Sequence, residues 1–227
     1  PSSEALNRFI LENRKIFLEY NCKIPIIDKY TYEQISNKQS FAMLCKANNI
    51  KVPREIEYKS NKDLPVVAKP KEYFSKLTGK PISPVIIHNQ NDLDHFNYQY
   101  NNEDFYFQEY IHGRCFYLLF LFAKANKIYK YSQENVVQQS NGKSMIYAIS
   151  SNFHHTDESE KYEKLFKKIK FQGLVMVEIK QWGSEYYMIE ANPRFWGPSQ
   201  LFVDAGNNLF EAWLFDIGLI NQMRHWL

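Results

Sequence analysis

Two glutamates near the C-terminal end of the chain have the spacing that chemistry would need. Glu178 and Glu190 lie in the apolar runs 173–180 and 185–191, joined by a tight polar turn containing Gly183. Such runs pair as a hairpin, and side chains along each strand alternate faces. Met176, Glu178 and Lys180 then share one face of the first strand, and Met188, Glu190 and Asn192 share one face of the second. A turn centred near Ser184 sets Glu178 opposite Glu190. Like charges directly opposite one another destabilise a sheet unless something positive lies between them. Magnesium suits that place, because it takes hard oxygen ligands, commonly one or two carboxylates together with phosphates. Asn192 offers a further carbonyl oxygen, Pro193 stiffens the strand exit, and Arg194 continues the alternation with a planar cationic fork suited to phosphate. The same spacing also suits a solvated strand face on which Lys180 neutralises the acids.

Two lysines upstream could contact phosphate. Lys69 ends an apolar strand, where a lone ammonium is costly to bury without an anion; its other reading is a lysine emerging into solvent. Lys38 falls in the first turn of its helix, where the macrodipole disfavours a cation by a few tenths to about 1 kcal/mol. A nearby anionic ligand would offset that, and without one Lys38 reads as surface. His154 and His155 are loop neighbours and take no role, and no Ser/His/Asp or Cys/His arrangement appears.

The elements that must position these residues alternate between helix and strand. Leu6, Phe9 and Ile10 recur at helical spacing behind the cap residues Ser2 and Ser3, and a second helix starts near Asn37 with Phe41, Leu44 and Cys45 on one face. Val/Ile-rich runs at 64–69 and 85–88 read as strands, and residues 91–96 as the start of a helix. Strands are expected at 105–111, 115–123, 128–131 and 145–149, and this succession implies an antiparallel sheet. Tyr162, Leu165, Phe166 and Ile169 make an amphipathic helix with a lysine-rich outer face, and a last helix spans 209–217. Trp182, Trp196, Trp213 and Trp226 read as packing residues, Trp196 on the substrate side. The fold class is α+β.

Composition excludes several classes. The 28 basic and 25 acidic residues give a formal charge of +3 and are spread along the chain, unlike the concentrated basic face of a nucleic-acid binder. The longest apolar stretch, 115–123, is far short of the roughly 20 residues of a membrane helix. Cys22, Cys45 and Cys115 are odd in number and lack metal-site spacing, so reduced thiols in the cytoplasm are expected.

Glu178-Ile179-Lys180 followed by Ile189-Glu190-Ala191-Asn192-Pro193-Arg194-Phe195-Trp196-Gly197 resembles the metal-binding strands of ATP-grasp proteins, particularly the branch similar to carbamoyl-phosphate synthase. The resemblance extends to Lys38 with Ile50-Lys51-Val52-Pro53, to Val67-Ala68-Lys69-Pro70, and to Gln108-Glu109-Tyr110-Ile111-His112-Gly113-Arg114. It implies an ATP-grasp fold: two α+β subdomains holding ATP between antiparallel sheets. Residues 1–60 would form a helical lead-in, 61–112 a small lid subdomain, and 113–227 a large subdomain carrying the metal site. It further implies Glu178, Glu190 and Asn192 as ligands of Mg²⁺ or Mn²⁺. Lys38 and Lys69 would bind phosphate, Gln108, Glu109, Tyr110 and Ile111 would form the adenine hinge, and Lys69 and Arg194 would serve in catalysis. Two departures stand out. The lid segment 71–80 has one glycine, Gly79, beside Tyr73 and Phe74; and Cys115 occupies the place where family members often carry an acid for the ribose hydroxyls.

The resemblance implies ATP-dependent ligation, in which a carboxylate is activated as an acylphosphate for an amine or other nucleophile. A nucleotide-binding regulatory module without ligation and a small-molecule kinase share the ATP-side residues. The chain opens at Pro1, where such ligases place a separate α/β domain that supplies much of the acceptor site. The expectation is that this domain is missing and that the chain binds ATP with little turnover alone, without nucleic-acid or membrane partners.

Overall fold

The computed structural model describes residues 1–22, 24–57, 63–139, 145–197 and 199–223, and Trp226 falls outside them. Two antiparallel sheets carry the architecture. The first contains β1 (Glu55–Ile56), β2 (Val66–Pro70), β3 (Val85–Ile87) and β4 (Phe105–Glu109) in the order β1-β4-β2-β3. Helix α5 (Gln90–Gln99), capped by the Asn89 side chain on the Asp92 amide, presses Leu93 and Phe96 against Val66, Ala68, Ile87 and Phe105.

The second sheet has the order β7-β6-β5-β8-β9. Its strands are β5 (Arg114–Phe122), β6 (Ile128–Gln138), β7 (Met145–Ser151), β8 (Gly173–Trp182) and β9 (Glu185–Asn192). The central β5 reads as an almost continuous apolar run because both of its faces are covered. On one face Phe116, Leu118 and Phe120 join Val175, Val177 and Ile179 against Phe41 of α4 (Lys38–Lys46) and against Tyr162, Leu165 and Phe166 of α6 (Asp157–Lys168). On the other, Tyr117, Leu119, Leu121 and Met176 pack with Trp196, with Phe202 of α7 (Gln200–Asp204) and with Leu209 and Ala212 of α8 (Leu209–Asp216).

The chain opens with α1 (Glu4–Glu12), α2 (Arg14–Glu19) and α3 (Lys29–Ser36). Asn37 ends α3 and caps α4, its Oδ1 accepting from the amides of Gln39 and Ser40. That cap fixes Lys38 as the first residue of α4. Helix α3 and the short elements β1 and α7 were not anticipated, and β6 runs well beyond the expected 128–131.

Two sequence expectations are corrected. Trp182 does not pack: it stands 56% exposed at the tip of the β8–β9 hairpin. Met188 does not share a face with Glu190. It is buried opposite Ile179 in the helix-covered core, because Ile189 is an extra residue in β9 between the pairs Glu178–Glu190 and Ile179–Met188. No helix among the described residues is long and apolar enough to cross a membrane.

Candidate functional site

The register of β8 and β9 explains how two acids come to face each other. The hairpin turns in two residues, Gly183 and Ser184, with Gly183 at φ 59° and Trp182 paired to Glu185. Without a bulge that turn would put Ile189 opposite Glu178. The bulge at Ile189 shifts the register by one, so Glu178 meets Glu190 on the face that carries Tyr117 and Cys115.

A bulged residue drops out of the ladder, and here its carbonyl finds a side chain: Lys69 Nζ donates to Ile189 O at 2.8 Å. Lys69 ends β2 in the other sheet and is only 5% exposed. Burial, and then the nearby Lys38 ammonium, push its pKa down to about 8. Lys38 Nζ lies 3.2 Å from Glu190 Oε2. Burial works against the charge on Lys38, but Glu190, Glu4 and Glu178 outweigh it and hold its pKa up. The two acids diverge. Lys38 holds Glu190 well below the usual carboxylate range, whereas burial and then the charge of Glu190 push Glu178 up. A polar line continues from Glu190: Asn192 Nδ2 donates to Glu190 Oε1 at 2.8 Å, and Arg194 Nη2 donates to Asn192 Oδ1 at 3.1 Å.

A cavity of about 380 Å³ opens between the two sheets around these groups. Lys38, Lys69, Glu178, Lys180 and Glu190 supply its charged wall, Gln108 to Ile111 its hinge side, and Val67, Ile86 and Tyr117 apolar surface. The size falls within the range of ligand pockets, and apolar walls with a few convergent polar groups are what such pockets share. The sheets are joined through Gly113 at φ 119°, where an added Cβ would come within 2.0 Å of Gln181 O.

The hinge is held from both sides. Glu109 exchanges contacts with Arg54: its amide donates to Arg54 O at 3.0 Å and its Oε1 accepts from Arg54 N at 2.8 Å. Gln108 is 2% exposed, its Nε2 reaching Pro53 O at 3.4 Å. Lys180, read from the sequence as one way of neutralising the acids, still opposes the upward shift of Glu178 with its charge and makes its hydrogen bond to the hinge. Its Nζ donates to Ile111 O at 3.2 Å and sits 4.7 Å from the centre of the Tyr110 ring. Ile86 was not singled out from sequence, and Pro53 and Val67 were read only as parts of longer motifs with no role of their own, since all three become walls only when the sheets meet.

Three expected residues lie off the cavity wall. Cys115 is buried behind Glu178, its Sγ donating to Glu178 Oε1 at 3.5 Å and accepting from Asn135 Nδ2 at 3.4 Å. Asn192 and Arg194 lie beyond Glu190 on the polar line. The segment 71–80 is pinned beside β4, with Ser75 Oγ donating to Asp104 Oδ2 at 2.6 Å, and turns within itself, the Gly79 amide donating to Ser75 O at 2.9 Å; its residues do not line the cavity. His154, set aside from sequence, accepts or donates at Nδ1 with Ser132 Oγ at 2.8 Å, and burial followed by His155 and Lys130 pushes its pKa down to about 4.

The donor set fits a hard divalent cation that shares its shell with a ligand. Glu178 and Glu190 offer carboxylate oxygens on one face, while Asn192 turns its amide nitrogen to Glu190 and its oxygen to Arg194. Among the described residues no group of three or more His, Cys, Asp or Glu side chains could hold a metal ion.

No protein-family model matches the sequence, and no curated protein sequence matches it. Solved structures do match in fold. N5-carboxyaminoimidazole synthetase from Staphylococcus aureus aligns at TM-score 0.60 and 18% identity, covering 81% of this chain and 51% of that one. L-amino acid ligase from Bacillus licheniformis aligns at 0.63 and 14% identity, covering 88% and 52%. Biotin carboxylase from Campylobacter jejuni, in a β-γ-ATP complex, aligns at 0.67 and 14% identity, covering 91% and 51%. The chain has the α+β ATP-grasp fold of these ATP-grasp proteins. It spans about half the length of each.

Proposed function

We propose that this chain is the nucleotide-binding and phosphoryl-transfer part of an ATP-dependent carboxylate-amine ligase working in the cytoplasm. The observation that carries the reading is the convergence of Lys38, Lys69, Glu178 and Glu190, from both sheets, on one cavity whose far side is the Gln108–Ile111 hinge. In this reading the adenine packs between Val67, Ile86 and the hinge, and the triphosphate runs toward Lys38 and Lys69. Glu178, Glu190 and Asn192 would hold Mg²⁺ or Mn²⁺, which when bound neutralises charge on the phosphate oxygens.

The chain's own residues do the positioning. Lys69 leaves the Ile189 carbonyl for phosphate oxygens that hold its ammonium charged. Lys38 keeps Glu190 ionised, and Asn192 would turn its oxygen from Arg194 toward the cation. A carboxylate oxygen of the acceptor attacks the γ-phosphorus, the bond to the bridging oxygen breaks, and ADP leaves. An amine then attacks the acyl carbon and orthophosphate departs. The first step needs no base, since a carboxylate is already a nucleophile; catalysis rests on orientation and on fixed charge. The ligase and synthetase names of the structural neighbours support this reaction class.

A nucleotide-binding module without ligation is favoured by one feature, the segment 71–80 pinned to Asp104 away from the cavity. An assay with the full-length protein separates the readings. Ligation predicts ADP and free orthophosphate released in equal amounts only with both acceptors. ADP release with phosphate retained on an acceptor would indicate a kinase, and binding with no release would indicate the module.

A further inference from the structure

One charged group on the cavity wall has no part in holding the phosphates or the cation. Lys180 lines the cavity between the sheets and is only partly buried. It lies two residues beyond Glu178 on β8, on the same face and roughly 7 Å farther along the strand. Its Nζ donates to Ile111 O at 3.2 Å and faces the Tyr110 ring at 4.7 Å. Lys180 therefore stands between the acid pair at one end of the cavity and the hinge at the other. The carboxylates of β9 are paired elsewhere, Glu190 with Lys38 and Glu185 with Lys51. An ammonium has several N–H donors and no acceptor, so one carbonyl and one ring leave Lys180 a donor to offer.

The residue directly across from Lys180 on β5 is Cys115. Its thiol is 1% exposed and already occupied: it donates to Glu178 Oε1 and accepts from Asn135 Nδ2 at 3.4 Å and from Gln138 Nε2 at 3.6 Å. At this level the wall presents a ligand with a cationic donor, and the side chain beside it is closed off. A nucleotide whose base meets the hinge and whose phosphates meet Lys38 and Lys69 has its sugar at this level.

We propose that Lys180 reads the sugar: its ammonium donates to ribose hydroxyl oxygens while it holds the Ile111 carbonyl, so that one cation ties the sugar to the hinge. The inference deepens the nucleotide reading and rests on it, and it names ribose over deoxyribose as the part of the nucleotide that this wall selects.

Calorimetric titration of the full chain with ADP and with 2′,3′-dideoxyADP, each in excess Mg²⁺, reads the contact as a ratio. Wild type should bind ADP at least about tenfold more tightly than the dideoxy compound, through a charge-assisted hydrogen bond that only the hydroxyls complete. Lys180→Met should bring that ratio to about one. A variant that weakens both nucleotides equally and keeps the ratio would show that Lys180 serves the hinge or the phosphates, and would overturn the sugar contact. Should Lys180→Met bind neither nucleotide, Lys180→Arg decides, because it keeps a donor: a preference retained supports the contact and a preference lost overturns it. ADP bound by wild type with no preference overturns the sugar contact and leaves the nucleotide reading standing, whereas no binding of either compound by wild type overturns the nucleotide reading and this inference with it.

Discussion

Glu178 and Glu190 stand opposite each other on one face of the sheet because Ile189 is bulged out of β9, and the carbonyl of that extra residue is held by Lys69 from the other sheet. One backbone irregularity thus sets the acid pair and ties it to a lysine 120 positions away in sequence. The pair is asymmetric, since Lys38 contacts Glu190 at 3.2 Å while Glu178 takes, among the described residues, only the weak Sγ donor of Cys115 at 3.5 Å.

That asymmetry predicts opposite effects of two isosteric changes in metal-free protein. Glu178→Gln removes a buried charge that faces a like charge, and should stabilise the fold by about 1 kcal/mol. Glu190→Gln leaves Lys38 without its partner and should destabilise it by roughly 2 kcal/mol. Both should lose magnesium-dependent nucleotide binding. Urea denaturation with EDTA reads the first effect, and equal destabilisation by both variants would contradict it.

Lys69→Met should weaken ATP far more than adenosine, by about tenfold or more, because its contact is with charge. Competition binding with both ligands measures this. Equal losses for the two would point to damage at the Ile189 bulge.

Gly113→Ala should destabilise the chain by roughly 3 kcal/mol or more, since φ 119° is strained for any other residue and the new Cβ meets Gln181 O at 2.0 Å. A denaturation midpoint equal to that of the parent would refute the close approach.

His154 gives the pH test. Its pKa near 4 in the fold lies below the 6.5 of a free imidazole, so the unfolded chain takes up the proton first as pH falls. The stability it contributes is whole above pH 6.5 and is lost as pH falls toward 4. Wild type should therefore lose more stability than His154→Gln between pH 7 and 4.5. Glu178, shifted up, contributes with the opposite sign over this range but is common to both proteins and cancels in the comparison. An imidazole titration midpoint at or above 6.5 would contradict the assignment.

Much of this was legible in the sequence where local pattern and tertiary outcome agree. The β8–β9 hairpin announces itself by two apolar runs around a glycine turn, and α6 by its helical stripe. The opposition of the two acids was anticipated from a longer turn; the chain reaches it by a two-residue turn plus a bulge, which no spacing rule reveals, and Met188 changes face as a result. Helix α3 was missed because Tyr32 and Ile35 are its only buried residues in a polar stretch. The extension of β6 was missed because Ser132, Gln133 and Asn135 are polar yet buried, Ser132 meeting His154, Asn135 meeting Cys115, and Gln133 donating along its own strand to Asn135. Lys180 could be placed on the right face by alternation, but its contact with Ile111 O depends on how the hinge folds back over β8.

The central claim is that the cavity between the sheets binds ATP with a divalent cation through the acid pair. Calorimetric titration of the chain with a non-hydrolysable ATP analogue, with Mg²⁺ and with EDTA, tests it most directly. The account predicts saturable one-to-one binding that Mg²⁺ tightens by about tenfold or more, a gain of at least 1.4 kcal/mol, and that Glu190→Gln loses. Absence of binding in both conditions, or binding that neither Mg²⁺ nor Glu190→Gln alters, would contradict it.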